Sequence, residues 1–157
     1  MKKSILFLVA LFAISTSAFS QLSIQKTEKP TVIGSIKPGG VFIAELSYYP
    51  TGNNDGNNVY LLQYQPAEYA AIHKTSIITF TGNQETIDAL YQIYMSAFEA
   101  EDIKSYEQSI TLGKTTMLIQ GMKMMGIKGV RFAATEYGVT LVQNGLSKSQ
   151  IQKLFGK

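Results

Sequence analysis

The chain predicts an α+β fold: an antiparallel, strongly twisted sheet of several hairpins packed against one amphipathic helix, with a short helix at the C-terminus. Three features carry this reading. Short apolar runs bounded by Gly, Pro and Asn fill residues 22–80 and 106–142. Between them, residues 83–100 change to a helical period. Near the end, Ser147-Lys148-Ser149-Gln150 spells a capping box ahead of Ile151, Leu154 and Phe155.

Before the domain comes a leader. Lys2 and Lys3 precede an apolar run from Ile5 to Ile14, and small residues follow up to Ser20. This run is far shorter than the roughly 20 apolar residues that cross a bilayer as a helix. Residues 1–20 are therefore expected to be a secretory signal peptide, cut after Ser20, and residues 21–157 a single exported domain. The protein is expected in the periplasm or outside the cell, and its short Lys-Lys leader suits a bacterium.

The first strands are expected at residues 32–36, 41–49, 59–64 and 75–80. All four prolines, Pro30, Pro38, Pro50 and Pro66, fall between these runs or at their ends. Along the second run Phe42, Ala44, Leu46 and Tyr48 alternate onto one face, as a strand with one buried side requires. Pro38-Gly39-Gly40 reads as a tight connection and residues 50–58 as an open hairpin loop, because Gly and Asn tolerate positive φ.

Residues 83–100 place Ile87, Leu90, Tyr91, Tyr94, Met95 and Phe98 on one stripe of an α-helix, with Asn83 as its N-cap. The opposite face, including Gln84, Asp88 and Gln92, is polar and meets water. Strands resume at residues 106–112, 115–120, 130–134 and 139–142, with residues 121–129 as a separator. The C-terminal helix is expected to dock through Ile151, Leu154 and Phe155, stapled by Leu146 and stopped by Gly156. No sequence repeat or linker divides the chain.

Composition excludes several classes of function. Without Lys2 and Lys3 the mature chain carries 12 Lys and Arg against 11 Asp and Glu, so its net charge is +1. With one arginine, Arg131, and scattered lysines, nothing supplies the clustered cations that neutralise a phosphate backbone. No nucleic-acid partner is expected. The absence of cysteine removes disulfides, thiolate metal sites, Cys nucleophiles and a lipidated N-terminal cysteine. No second apolar run reaches membrane length, so no membrane insertion is expected once the leader is gone.

Several short motifs have plainer readings. Gly113-Lys114-Thr115-Thr116 ends like a phosphate-binding loop, but Gln108 stands where that loop's first glycine belongs, and a hairpin turn explains it better. Met117, Met122, Met124 and Met125 would suit Cu(I), yet His73 is the one histidine and no spacing ties it to them, so packing is preferred. Asn53, Asp55 and Asn57 alternate as calcium ligands do, but Asn58 and Tyr64 occupy the positions of the required Gly and Glu. His73 has no partner fixed by sequence and reads as a surface or structural residue. Glu45, Glu68, Glu107 and Glu136 offer carboxylates for hydrolysis without singling out a pair.

Five tyrosines, Tyr48, Tyr49, Tyr60, Tyr64 and Tyr69, lie close in sequence and are the candidate contacts for a partner or ligand, since tyrosine gives large contact area with a polar tip. No catalytic, cofactor or metal residue is assigned. The sequence thus favours a non-enzymatic exported binding or interaction domain, with a protein or a small apolar ligand as partner. Its rivals are a carrier enclosing an apolar ligand between helix and sheet, and a hydrolase using carboxylates or His73.

Overall fold

The computed structural model describes residues 29–51 and 56–157. The expected leader lies outside them, as do residues 52–55 of the Asn-rich loop. The α+β class holds, and the strands divide into two four-stranded antiparallel meanders. The first contains β1 (Thr31–Ile36), β2 (Ala44–Pro50), β3 (Asn58–Tyr64) and β4 (Ser76–Gly82). Helix α1 (Gln84–Glu99) follows. The second contains β5 (Glu107–Leu112), β6 (Thr115–Met124), β7 (Ile127–Glu136) and β8 (Val139–Val142), and helix α2 (Lys148–Leu154) closes the chain. The order of four strands and a helix therefore occurs twice, although the two halves share no visible sequence repeat.

Each sheet turns its alternate residues inward. In the first, Ala44 pairs with Tyr64 and Leu46 with Leu62, and Leu62 pairs in turn with Ile78. In the second, Met117 pairs with Ala134 and Ile119 with Phe132. These residues are buried and belong to one core that also takes in both helices. Burial of these side chains is the main force holding the layers together.

The helices interlock the halves. α1 leaves β4 but lies against β6 and β7, presenting Ile87, Leu90, Tyr94 and Met95 as buried residues. Its start is fixed by Asn83, whose side chain accepts the Thr86 amide at 3.0 Å while the Thr86 hydroxyl faces the Asn83 amide. α2 leaves the second sheet and returns to β1 and β2 of the first. Ser147 and Gln150 form the expected reciprocal cap, and Leu146, Ile151, Leu154 and Phe155 are all buried. The ring of Phe155 packs on Tyr91 and Tyr94 of α1 at centroid distances of 5.6 and 5.8 Å.

Two glycines permit this closeness. A Cβ on Gly34 would overlap the backbone carbonyl of Lys153 in α2, and a Cβ on Gly121 would overlap that of Ile103 in the 3-10 turn Ile103–Ser105. Among the described residues no helix is long and apolar enough to cross a membrane.

Candidate functional site

The segment expected to separate strands at residues 121–129 is instead the end of the longest hairpin among the described residues. β6 runs on to Met124 and β7 begins at Ile127, so only Met125 and Gly126 form the turn. Both take positive φ, 52° and 85°, which is the type I′ geometry that matches the twist of a two-residue hairpin. Ladder pairs continue to the tip, with Met122 opposite Gly129, Lys123 opposite Lys128 and Met124 opposite Ile127.

Strand alternation sorts these side chains onto two faces. Lys123 and Lys128 share the side that, further along the strands, carries Ile119 and Phe132. Met122, Met124 and Ile127 take the other. Met125 is 96% exposed, Ile127 69% and Met124 65%. Lone exposed apolar residues are ordinary on a protein surface, whereas three side by side on one hairpin are not.

At the base of this face lies an open groove of about 420 Å³, lined by Met122, Met124, Ile127, Gly129, Gly145 and Leu146 among others. The neighbouring segment is tied to β7 by reciprocal Val130 and Leu146 backbone bonds of 2.9 and 2.7 Å. Met122 reaches across Gly129 to Gly145, where a Cβ would collide with its sulfur. The groove therefore has a fixed floor, and the tip, with Met124, Met125 and Ile127, forms its outer wall.

The five tyrosines do not form one surface. Tyr60 and Tyr64 are buried because their positions on β3 fall on the inward face. Tyr48 is partly buried and packs on Tyr60 at 5.7 Å between centroids. Those two rings border a cleft of about 400 Å³ shared with Phe155 and Lys157. Tyr49, one residue along β2, points to the opposite face of the sheet. Tyr69 sits in the 3-10 turn Ala67–Ile72, with the Lys74 ammonium 5.0 Å from its ring centre.

Tyr64 nonetheless marks where the polar groups converge. It lines a cleft of about 180 Å³ with Ser76, Thr115 and Glu136, between the two sheets. Burial pushes its phenol up to about 12, with the negative charges of Glu68 and Glu136 adding to the effect and a bond to Ser76 opposing it. Glu136 accepts from the Thr115 hydroxyl at 3.3 Å, and Glu68 from the Val142 amide at 3.4 Å. His73 does not line this cleft. It is exposed at the end of the Ala67–Ile72 turn, with φ 53°.

The remaining expected residues scatter. Glu45 pairs with Lys37 at 3.1 Å, and Glu107 accepts from Gln120 at 2.8 Å. Gly113 and Lys114 form the β5–β6 turn, as the hairpin reading of that motif expects. Met117 is buried in the core while Met122, Met124 and Met125 lie at the hairpin tip, so the methionines form no single cluster. Among the described residues no three His, Cys, Asp or Glu side chains gather as a metal site. Of the Asn-rich loop, Asn53 and Asp55 lie outside the described residues, and the Asn57 carbonyl accepts from the Thr51 hydroxyl at 2.6 Å. Comparison of the chain with known protein families, curated proteins and solved structures finds no match.

Proposed function

We propose that the protein is an exported, non-enzymatic interaction domain that engages its partner through the β6–β7 hairpin tip. The observation that carries this reading is the run of six exposed residues from Lys123 to Lys128, with three contiguous large apolar side chains held on a regular hairpin. The regular ladder already fixes the backbone of this projection, so covering it costs mainly side-chain freedom.

The competing readings have less behind them. A carrier needs interior space for its ligand, and the region between the sheets is occupied by rings such as Tyr64, Tyr94 and Phe132. A hydrolase needs an acid and a base in reach of one bond, and His73 stands apart from the cleft that Glu136 lines.

A photoreactive side chain at position 125, compared with one at the exposed Gln92 on α1, tests the reading in the producing cells. Adducts of any kind that form at 125 and not at 92 are expected; equal yields, or none at 125, would contradict it. The export component predicts a mature N-terminus at Gln21, and protein recovered from the periplasm or medium with Met1 intact would refute that component.

A further inference from the structure

We propose that the partner of the β6–β7 tip is an anionic membrane surface, into whose interface the hairpin dips without spanning it. The inference rests on the preceding reading of the tip as the contact site and names what it contacts.

Shape is the first reason. The apolar side chains of Met124, Met125 and Ile127 project from the end of a two-stranded ribbon, where they also form the outer wall of the groove, with Met125 almost wholly in solvent. A projection of this kind is covered most completely by a medium that closes around it, as the acyl and headgroup boundary of a bilayer does. Met is also unbranched and adaptable, and so suits a fluid surrounding.

Charge is the second. Lys123 and Lys128 are direct cross-strand partners immediately behind the tip, and like charges so placed repel one another. Among the described residues the ion pairs are Lys37 with Glu45 and Lys157 with Asp88, so no described carboxylate neutralises either tip lysine. Arg131 lies further down the same hairpin; the adjacent carboxylate of Glu107 is bonded to Gln120, which also accepts from Arg131 at 3.3 Å. An apolar point backed by two unpaired lysines matches an anionic interface in which lipid tails lie just below a layer of phosphates. The relief of lysine repulsion by those phosphates gives the tip a preference for anionic over neutral membranes.

The contact must be reversible. A single myristoyl chain already gives only marginal membrane binding, and three side chains bury less apolar surface than that chain does. The lysines supply the second signal, so binding should weaken as salt screens them.

Co-sedimentation of the mature protein with vesicles tests this directly. Vesicles of phosphatidylcholine containing about one-third phosphatidylglycerol should retain the protein at low salt, and pure phosphatidylcholine vesicles should not. Lys123→Gln and Lys128→Gln should each lower the partition coefficient about fivefold. Met125→Asp should lower it at least tenfold. All three sites are exposed, and unchanged melting of each variant shows that folding is not the cause. Failure of the parent to bind the anionic vesicles overturns the lipid assignment, as does binding that Met125→Asp leaves intact. If cross-linking at position 125 meanwhile yields protein adducts or a second copy of the chain, the tip remains an interaction site and only the lipid partner is lost.

Discussion

The ring of Tyr64 on β3 meets the ring of Phe132 on β7 edge to face, with centroids 4.8 Å apart and planes at 69°. Each residue occupies the third strand of its own sheet and both are buried, so this contact joins the two meanders across the core. The edge-on geometry places the positive rim of one ring against the negative face of the other.

Phe132→Ala should therefore cost about 3–5 kcal/mol in chemical denaturation, through lost burial and the cavity left behind. A double-mutant cycle with Tyr64→Ala should show a coupling of about 0.5–1.5 kcal/mol from the ring pair itself. Strict additivity would mean that the two sheets are not joined at this point.

Gly34→Ala should loosen α2 from the first sheet, because the added methyl meets backbone carbonyls that have no rotamer to turn aside. Overpacking of this kind costs about 1–3 kcal/mol. Gly126→Ala has open space around its Cβ and disturbs only the φ of 85° in the turn, so α2 should stay docked in that variant. Hydrogen exchange of the α2 amides distinguishes the two: faster exchange is expected with Gly34→Ala alone.

On α1, Leu90→Ala should cost about 2–5 kcal/mol because Leu90 is 2% exposed at the centre of the buried stripe. Asp88→Ala should cost much less, although Asp88 accepts from Lys157 at 2.8 Å and from Gln84 at 3.2 Å. That ion pair lies in solvent, where water and salt weaken it. Thermal melts of the two variants check the ranking, and equal losses would contradict the helix orientation.

Alkaline stability offers a separate reading of the core. Burial raises the phenol of Tyr64 to about 12, and burial, with Tyr64 nearby, raises that of Tyr94 as well. A phenol whose folded pKa exceeds its unfolded value of about 10 adds stability that is complete below pH 10 and is lost as pH rises through the folded value. Stability should fall between about pH 10 and 12, and Tyr94→Phe should lessen the fall. The Tyr94 hydroxyl is buried without a hydrogen-bond partner in the structure, so Tyr94→Phe should also gain about 1 kcal/mol at neutral pH. Denaturation series at several pH values measure both effects, and a loss of stability at neutral pH would show that the hydroxyl has a partner.

Local signals in the sequence located most of the elements. The stripe on α1 and the caps Asn83 and Ser147 are set by spacing within one or two turns, and all are where the sequence places them. Strands β1 to β5 and β8 follow from alternation and lie within a few residues of expectation. The division into two sheets was not legible, because pairing is a long-range choice that alternation does not encode. The β6–β7 tip was hidden for a specific reason. Two-residue hairpins usually announce themselves with Asn-Gly or Asp-Gly, and here Met125 takes the positive φ in place of Asn. With Lys and Met in place of β-branched residues, residues 121–129 read as a separator. Only Gly126, between Met125 and Ile127, hinted at the turn. The tyrosines divide for a different reason: neighbours in sequence along a strand alternate between the two faces, so nearness along the chain does not make a shared surface.

The most direct test is retention of the protein on the envelope fraction of its own cells, comparing Met125→Asp with His73→Ala. Met125→Asp should reduce retention at least tenfold without changing the melting temperature, and His73→Ala should leave it at the parental level. Retention lost with His73→Ala but kept with Met125→Asp would contradict the hairpin tip as the functional surface and direct attention to the turn that His73 ends.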